Sequence, residues 1–340
     1  MGTVLITGGA GFLGLNIALE FLKKGDSVVI ADDMQNSYDT HINTLIDTYG
    51  DKVTFYEGDM CNRDFVEGVF QAHTFDKVLH LAAYKNILES KQNPSIYYIN
   101  NITSLKKILD AIDKYGTKMF AFPSTAAVYG NTDAIPTPEE APYSPLSPYA
   151  ETKVQGEKMI TEWQARSGIA TVIFRFANPV GANTEFMFGD HSKKGYGNLI
   201  PYIIESTLSN KHMTFKGNDH PTPDGTAVRD YIHVGDLAYS VHKVLNSKYD
   251  NGLDIVNVGS GKGHSVLNIV NLVENLLNKK LDYSFSPRNE FESSMVVLDT
   301  TKLKTDFSVG FSTSLEDIIK SEIQFYQFLH KENDYEDFSR

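Results

Sequence analysis

Cysteine is almost missing from the 340 residues: Cys61 stands alone. That excludes an internal disulfide and any cluster of thiolate ligands, and no metal site is expected. A lone thiol reads as a small side chain packed away from solvent. Long hydrophobic runs are missing as well. The apolar stretch that follows Met1 ends at Ile6, too short for a signal peptide, and nothing reaches the roughly eighteen apolar residues that a membrane span needs. The expectation is a cytoplasmic protein with no membrane partner. Basic residues are in deficit, 31 lysines and arginines against 43 acids, for a formal net charge of -12. With no basic stripe, a nucleic-acid partner is not expected. A small anionic ligand remains compatible with that charge, because it needs only a few local donors.

The residues that are present organise themselves from the amino end. Thr3-Val-Leu-Ile-Thr7 predicts a buried strand, and Gly8-Gly-Ala-Gly11-Phe-Leu-Gly14 predicts a tight turn opening a helix. Gly8 lets the chain leave the strand in a conformation that a side chain resists, Gly11 lets the helix start approach a pyrophosphate, and Gly14 lets the helix pack closely on the sheet. The anion meets free N–H groups at the positive end of that helix. An amphipathic stretch over residues 16–22 and a second strand over residues 27–31 follow, with Asp32 at its end. A carboxylate there accepts both adenosine ribose hydroxyls and repels a 2'-phosphate, which favours NAD over NADP.

Further strands are expected over residues 52–56, 75–80, 118–122 and 170–176, with helical periodicity in Ile102, Leu105, Ile108, Leu109 and Ile112. The first of these ends at Gly58-Asp59-Met60, a rim for adenine, and the second leads into Leu81-Ala-Ala-Tyr-Lys85, small enough for a cofactor to lie close. The alternation predicts an α/β fold, a Rossmann-like doubly wound parallel sheet covered on both faces, with right-handed crossovers. From Asn178 the texture changes. Residues 181–197 are irregular, a helix starts at Asn198-Leu-Ile-Pro201, and Thr222-Pro-Asp-Gly225 is a turn, which places a smaller α/β substrate-binding lobe here. The chain is expected to rejoin the large sheet through residues 228–234, a helix near Asp236 and a strand over 254–258, then to turn back at Gly259 to Gly263 into helices over 265–277 and 315–329. The partition expected is 1–178 with 228–258 for the cofactor, and 179–227 with 259–340 for the substrate. The acidic tail from Glu332 reads as a solvated end.

The chemistry concentrates after the strand over residues 118–122. Pro123-Ser-Thr125-Ala-Ala-Val-Tyr-Gly130 carries a hydroxyl, a proline-rich loop spans 136–148, and Tyr149-Ala-Glu-Thr-Lys153 opens a helix. A spacing of four puts phenol and ammonium on one helix face, where the cation favours phenolate. A phenolate can take the proton of an alcohol while its C–H hydride leaves to nicotinamide. Thr125 can bind the same oxygen, and Lys153 can hold the cofactor ribose.

Through these motifs the chain resembles the UDP-glucose 4-epimerases of the extended short-chain dehydrogenase/reductase family, over residues 3 to about 315. Other motifs carry the likeness too: Lys85 with Glu89-Ser90, Tyr97-Tyr98, Val128-Tyr-Gly130, Asn178-Pro-Val-Gly181, Asn198-Leu-Ile-Pro201, Thr222-Pro-Asp-Gly-Thr226 and Val228-Arg-Asp-Tyr-Ile-His-Val234. The last three are far more specific than the dehydrogenase signature. The resemblance implies an isomerase that keeps NAD tightly bound, oxidises C4 of a UDP-hexose, lets the 4-keto sugar turn, and returns the hydride to its other face. It implies a homodimer built on two helices per subunit, here those near Leu105 and Glu157. By position it makes Thr125, Tyr149 and Lys153 the catalytic group. Gly8, Gly11, Phe12, Leu13, Asp32, Asn36, Asp59, Met60, Leu81, Ala82, Lys85, Asn100 and Phe176 join Tyr149 and Lys153 around the cofactor. Lys85, Thr125, Asn178, Asn198, Leu199 and Arg229 surround the substrate.

The chain departs from the family in places. Serine usually stands where Thr125 does, and the hydroxyl is kept. An arginine pair, glycine and aspartate usually stand where this chain has Arg288-Asn-Glu-Phe-Glu292. Counting back from Asp299, a diphosphate-binding arginine becomes Asn289 and a ribose-holding aspartate becomes Glu292. Loss of a bidentate cation is not conservative, so the sugar and nucleobase stay open, with Arg229 still offering one cation. Val296 matches a wall of the sugar pocket where a small residue admits N-acetylhexosamines, UDP-GlcNAc and UDP-GalNAc, beside UDP-glucose and UDP-galactose; it equally suits a core position in a strand over 294–298. Another nucleotide-sugar epimerase, dehydratase or reductase is the alternative. Ala126-Ala127 stands where dehydratases tend to place an Asp-Glu pair, which counts against elimination, and the presence of Tyr149 and Lys153 counts against a non-catalytic NAD-binding regulator.

Overall fold

Strand and helix alternate as the apolar periodicity predicts. The computed structural model describes residues 2–195, 198–247, 252–288, 293–311 and 313–332. The first half runs β1 (Thr3–Thr7), α1 (Phe12–Lys23), β2 (Ser27–Asp32), α2 (Asp39–Tyr49), β3 (Val53–Glu57), α3 (Arg63–Ala72), β4 (Lys77–His80), α4 (Ile87–Gln92), α5 (Pro94–Tyr115), β5 (Met119–Thr125), α6 (Pro148–Ser167) and β6 (Ala170–Phe176). The second half runs β7 (Asn178–Val180), α7 (Leu199–Leu208), β8 (Met213–Lys216), β9 (Val228–His233), α8 (Val234–Leu245), β10 (Leu253–Val258), β11 (Gly263–Ser265), α9 (Val266–Leu277), β12 (Tyr283–Ser286), β13 (Met295–Val296), α10 (Thr301–Phe307) and α11 (Leu315–Glu332). No described helix is long and apolar enough to cross a membrane.

Seven strands form one parallel sheet in the order β3-β2-β1-β4-β5-β6-β10. Each strand is apolar on both faces, because helices cover both. Ile6, Ile30, Phe174 and Val256 face α1 and α8, while their neighbours Leu5, Val29 and Ile173 face α3, α5 and α6. The order reverses between β1 and β4, and that reversal opens a crevice at the carboxyl ends of the strands.

Residues 228–234 do not rejoin this sheet. β9 instead lies at the centre of a second, four-stranded sheet, parallel to β7 and β13 and antiparallel to β11. The return is made by α8 and β10. Arg229 and His233 are only half-buried in this smaller sheet, and buried Asp230 finds its partners around it. Buried Asp230 accepts from the N–H groups of Ser260 at 2.8 Å, Gly261 at 3.0 Å and Leu298 at 3.3 Å, fastening the end of β10 and the segment after β13 to β9. The strand expected over 294–298 is only Met295–Val296. A parallel pair, β8 and β12, was not anticipated; with α7, α9 and α11 it builds a third core around Ile203, Phe215, Ile269 and Phe325.

α5 and α6 pack on β5 at Gly156, where a Cβ would sit 2.9 Å from Phe122 and 3.3 Å from Leu105. Beneath α6 lies an ion pair that the sequence does not announce. The Arg175 and Glu157 side chains are 2% and 0% exposed, with Nη2 to Oε2 at 2.7 Å, and Arg175 Nε donates to both carboxylate oxygens at 3.2 Å. Arg175 also donates to the hydroxyl of Tyr129 at 2.9 Å, the Glu139 carbonyl at 2.8 Å and the Tyr143 hydroxyl at 3.1 Å. Arg175→Met, which strands Glu157, is expected to lower the unfolding free energy by about 3–5 kcal/mol, and a further Glu157→Met to restore much of it. Urea titration of the two variants checks this.

Candidate active site

The turn after β1 is shaped by what its glycines touch. Gly8 sits at φ +66°, donates to the Ala31 carbonyl at 2.8 Å, and leaves no room for a Cβ, which would lie 2.7 Å from the Ala82 nitrogen. Gly14 has a different job from the one expected. A Cβ there would strike the Gly8 oxygen at 2.4 Å, so what Gly14 permits is the close seat of the helix on its own entry turn. At Gly11 the nearest neighbour of a Cβ would be the Gly8 oxygen at 3.5 Å. Packing therefore leaves Gly11 open, and α1 starts from it with no side-chain cap. Bare N–H groups behind an open glycine, with half-buried Leu13 and buried Phe12 following, fit the pyrophosphate of a dinucleotide.

Asp32 ends β2 beside this turn. Its carboxylate accepts from Ala10 N at 3.1 Å and Met34 N at 3.0 Å. Burial pushes it up to about 6 against the pull of those two bonds. Carboxylate lone pairs remain for the two ribose hydroxyls. Around the rim, Asp59 is exposed and turns back on Cys61 N at 2.7 Å, while Met60 packs into the core. Ala82 N donates to the Thr7 hydroxyl at 3.3 Å and Leu81 N to the Thr7 carbonyl at 3.0 Å. Lys85 is exposed on the loop before α4. Asn100 donates to the Asn101 side-chain oxygen at 3.1 Å. Asn101, not anticipated, holds the 81–85 loop by accepting from Tyr84 N at 2.8 Å and donating to the Tyr84 carbonyl at 3.1 Å. Asn36 spends its side-chain oxygen on Ser192 Oγ at 2.9 Å and Lys194 N at 3.1 Å. Cys61 is half-buried and its thiol is pushed up to about 11 by burial and by Asp59, which makes it unreactive.

The proton-handling group assembles at the carboxyl end of β5. Thr125 is its last residue, level with Phe176 of β6, and its side chain partners the Tyr149 phenol. Lys153, one turn along α6, donates to the Pro123 carbonyl at 2.7 Å and lies 4.5 Å over the Phe122 ring. The three are brought together as predicted, but the electrostatics differ. Burial pushes the Tyr149 phenol up to about 12, with only the Thr125 bond opposing it, and burial pulls the Lys153 ammonium down to about 8, with Glu157 opposing. The ammonium is turned toward a carbonyl, and the lowering of the phenol expected from spacing is not found among these side chains. His80, which the sequence did not mark, braces the floor: it bonds the Thr7 hydroxyl at 2.8 Å and Ser104 at 3.3 Å, and burial drives it to about 3, a neutral ring.

The remaining candidates come from the smaller sheet. Asn178 opens β7 opposite Tyr231; Arg229 and Val296 are neighbours across β9 and β13, both half-buried, and Arg229 donates to the Val228 carbonyl at 2.8 Å. Asn198 precedes Leu199, the first residue of α7, and its side-chain amide donates to Asp190 at 2.5 Å. Asn289 and Glu292 lie outside the described residues. A cavity of about 660 Å³ opens between Asn131, Asp133, Ser144 and Ser294; none of Thr125, Tyr149 and Lys153 lines it.

A model of the NAD-dependent epimerase/dehydratase family matches residues 4–259. The chain is 34% identical over 321 residues to the UDP-glucose 4-epimerase of Bacillus subtilis (strain 168), covering 93% of this chain and 94% of that one. Among solved structures it is similar to the UDP-glucose 4-epimerase of Bifidobacterium longum in complex with NAD+ and UDP, with TM-score 0.92, 31% identity, and 96% and 98% of the two chains covered. The Stenotrophomonas maltophila UDP-glucose 4-epimerase with bound NAD and formylated UDP-arabinopyranose matches equally, with TM-score 0.92, 30% identity, and 98% and 100% coverage.

Asp32 gives two pH trends of opposite sign. Its pKa is raised in the folded state, so the apoprotein loses stability as pH rises from about 4 through about 6. Ribose hydroxyls need the charged acceptor, so retention of a bound dinucleotide is expected to fall as pH drops through about 6. Desalting followed by acid release of cofactor across that range checks the second trend, and Asp32→Asn is expected to flatten both.

Proposed function

The chain belongs to the NAD-dependent epimerase/dehydratase family, and from that premise we propose that it is a UDP-glucose 4-epimerase that inverts C4 of UDP-glucose and UDP-galactose through a 4-keto sugar. The observation that carries this reading is the Thr125–Tyr149 pair at the end of β5, backed by Lys153, beside a glycine turn left open at Gly11. NAD, which Gly8 to Leu13, Asp32 and Lys153 would hold, would supply the hydride acceptor and a positive ring that favours the Tyr149 phenolate. Tyr149 then takes and returns the proton at the sugar O4, and Thr125 holds the same oxygen. Lys153, anchored by the Pro123 carbonyl, would hold the cofactor ribose. Lys153 is buried and Thr125 and Tyr149 are half-buried, which limits bulk water around the keto sugar. Ala126 and Ala127, in the turn after Thr125, offer no carboxyl to expel water, which favours epimerisation over dehydration.

Asn178, Asn198 and Arg229 are assigned to the nucleotide diphosphate; Asn289 and Glu292, outside the described residues, keep only the substrate assignment that the sequence resemblance implies. On this reading residues 1–178 with α8 and β10 form the cofactor lobe, and the remainder, including β9, forms the nucleotide-sugar lobe. A homodimer through the outer faces of α5 and α6 is supported by Ile96 and Ile99, 40% and 64% exposed on α5; Leu105 and Glu157, fully buried, face inward instead.

Tyr149→Phe is expected to leave bound NAD, measured by acid release, unchanged while lowering turnover of UDP-galactose by at least about a hundredfold. Near-normal turnover sinks the assignment. Val296 stands beside Arg229, and its small size suits acetylated sugars. Val296→Tyr is expected to lose UDP-GlcNAc and UDP-GalNAc turnover by about five- to one-hundredfold more than that of the plain pair, the scale of forcing a side chain into occupied volume. Equal losses for both pairs, or no acetylated turnover in the wild type, remove the gate.

A further inference from the structure

One irregular segment touches both ligand sites. Between β7 and α7, Asp190 is 6% exposed, and its carboxylate takes one amide hydrogen of Asn198 at 2.5 Å, leaving the other for a ligand. The Asp190 carbonyl is itself fixed by the Tyr326 hydroxyl of α11 at 2.7 Å. The next residues reach the opposite side, to the loop that follows Asp32. Ser192 Oγ and Lys194 N donate to the Asn36 side-chain oxygen at 2.9 and 3.1 Å, Lys193 N reaches the Asn36 carbonyl at 3.4 Å, and Lys193 Nζ reaches the Met34 carbonyl at 3.2 Å. Four bonds on one end and a buried carboxylate on the other leave few independent positions between them. Glu322 lies buried behind Asp190; burial and that neighbouring carboxylate push it up to about 8, so it is protonated at neutral pH and adds no second charge there.

We propose that Asp190 is a positioning residue for the nucleotide sugar, aiming the Asn198 amide at the diphosphate, and that the Ser192–Lys194 bonds to Asn36 tie this aim to the cofactor rim, so that the two ligands bind cooperatively. It rests on the assignment of Asn198 to the diphosphate. A cofactor ordering the 33–36 loop pins the segment and with it Asp190. By reciprocity, nucleotide on Asn198 slows cofactor loss, and couplings of this kind run from about five- to about 150-fold.

The test uses the NAD-loaded protein with UDP as the probe, reading UDP affinity by calorimetry and exchange of bound NAD against labelled NAD. In the wild type, saturating UDP is expected to slow NAD exchange at least about fivefold. In Asp190→Ala, UDP binding weakens about tenfold, KM rises with kcat nearly kept, and UDP no longer slows exchange, whereas Asp190→Asn, which keeps an acceptor, stays within about threefold of wild type. Ser192→Ala/Lys193→Ala, which removes the two side-chain bonds and leaves the two from backbone N–H groups, is expected to reduce the effect of UDP on exchange by itself, which keeps the test open if Asp190→Ala does not fold. Exchange slowed equally in all variants, or Asp190→Asn falling as far as Asp190→Ala, overturns the proposal. Asn198→Ala separates the two levels: if it leaves UDP binding intact, the diphosphate assignment has failed, and if it weakens UDP while Asp190→Ala does not, only the positioning role has failed.

Discussion

The fully buried Arg175–Glu157 pair sets where α6 sits, and the chemistry rides on α6. A guanidinium and a carboxylate removed from water cost several kcal/mol each before they attract one another. Here the cost is offset by filling every other donor: the same guanidinium gathers Tyr129, Tyr143 and the Glu139 carbonyl, and Glu157 also accepts from Ser124, the residue before Thr125. One ion pair thereby joins β5, β6, α6 and the proline-rich loop. Tyr129 passes the link to Asn257 of β10 at 2.7 Å. An apolar pair of equal volume would hold the helix as firmly, but it would not fix Ser124 and Tyr143 at the same time.

The same burial that demands this network also works on the reacting groups. Away from water, Tyr149 and Lys153 are each driven toward their neutral forms, to about 12 and about 8. Glu157 opposes the fall at Lys153 from one helical turn further on. A phenol at about 12 is a proton donor at neutral pH, and turning it into a base requires a positive charge brought from outside the side chains.

Much of this was legible in residue order. Apolar runs read two ways, as strands buried on both faces, and spaced glycines located the crevice. The Tyr149–Lys153 spacing put both on one helix face. What spacing could not show was direction: the Lys153 ammonium points to the Pro123 carbonyl, thirty residues away in sequence. Glu157, four residues after Lys153, looks like a surface ion-pair partner in one dimension, and Arg175 looks like a polar interruption in an apolar strand. β9 was misplaced because a strand alternating Val, Arg, Asp and Tyr does not say which sheet it joins until its neighbours are known. Asp190 falls in a stretch without periodicity, where nothing local marks a carboxylate as buried.

The join between the two sheets is short. β6 ends at Phe176 and β7 begins at Asn178, with Ala177 alone between them, and Asp230 clamps the smaller sheet to the ends of β10 and the segment beyond β13. Such a connection has no slack for a hinge. A swing of the smaller sheet against the larger one has to break the Asp230 bonds to Ser260, Gly261 and Leu298 together.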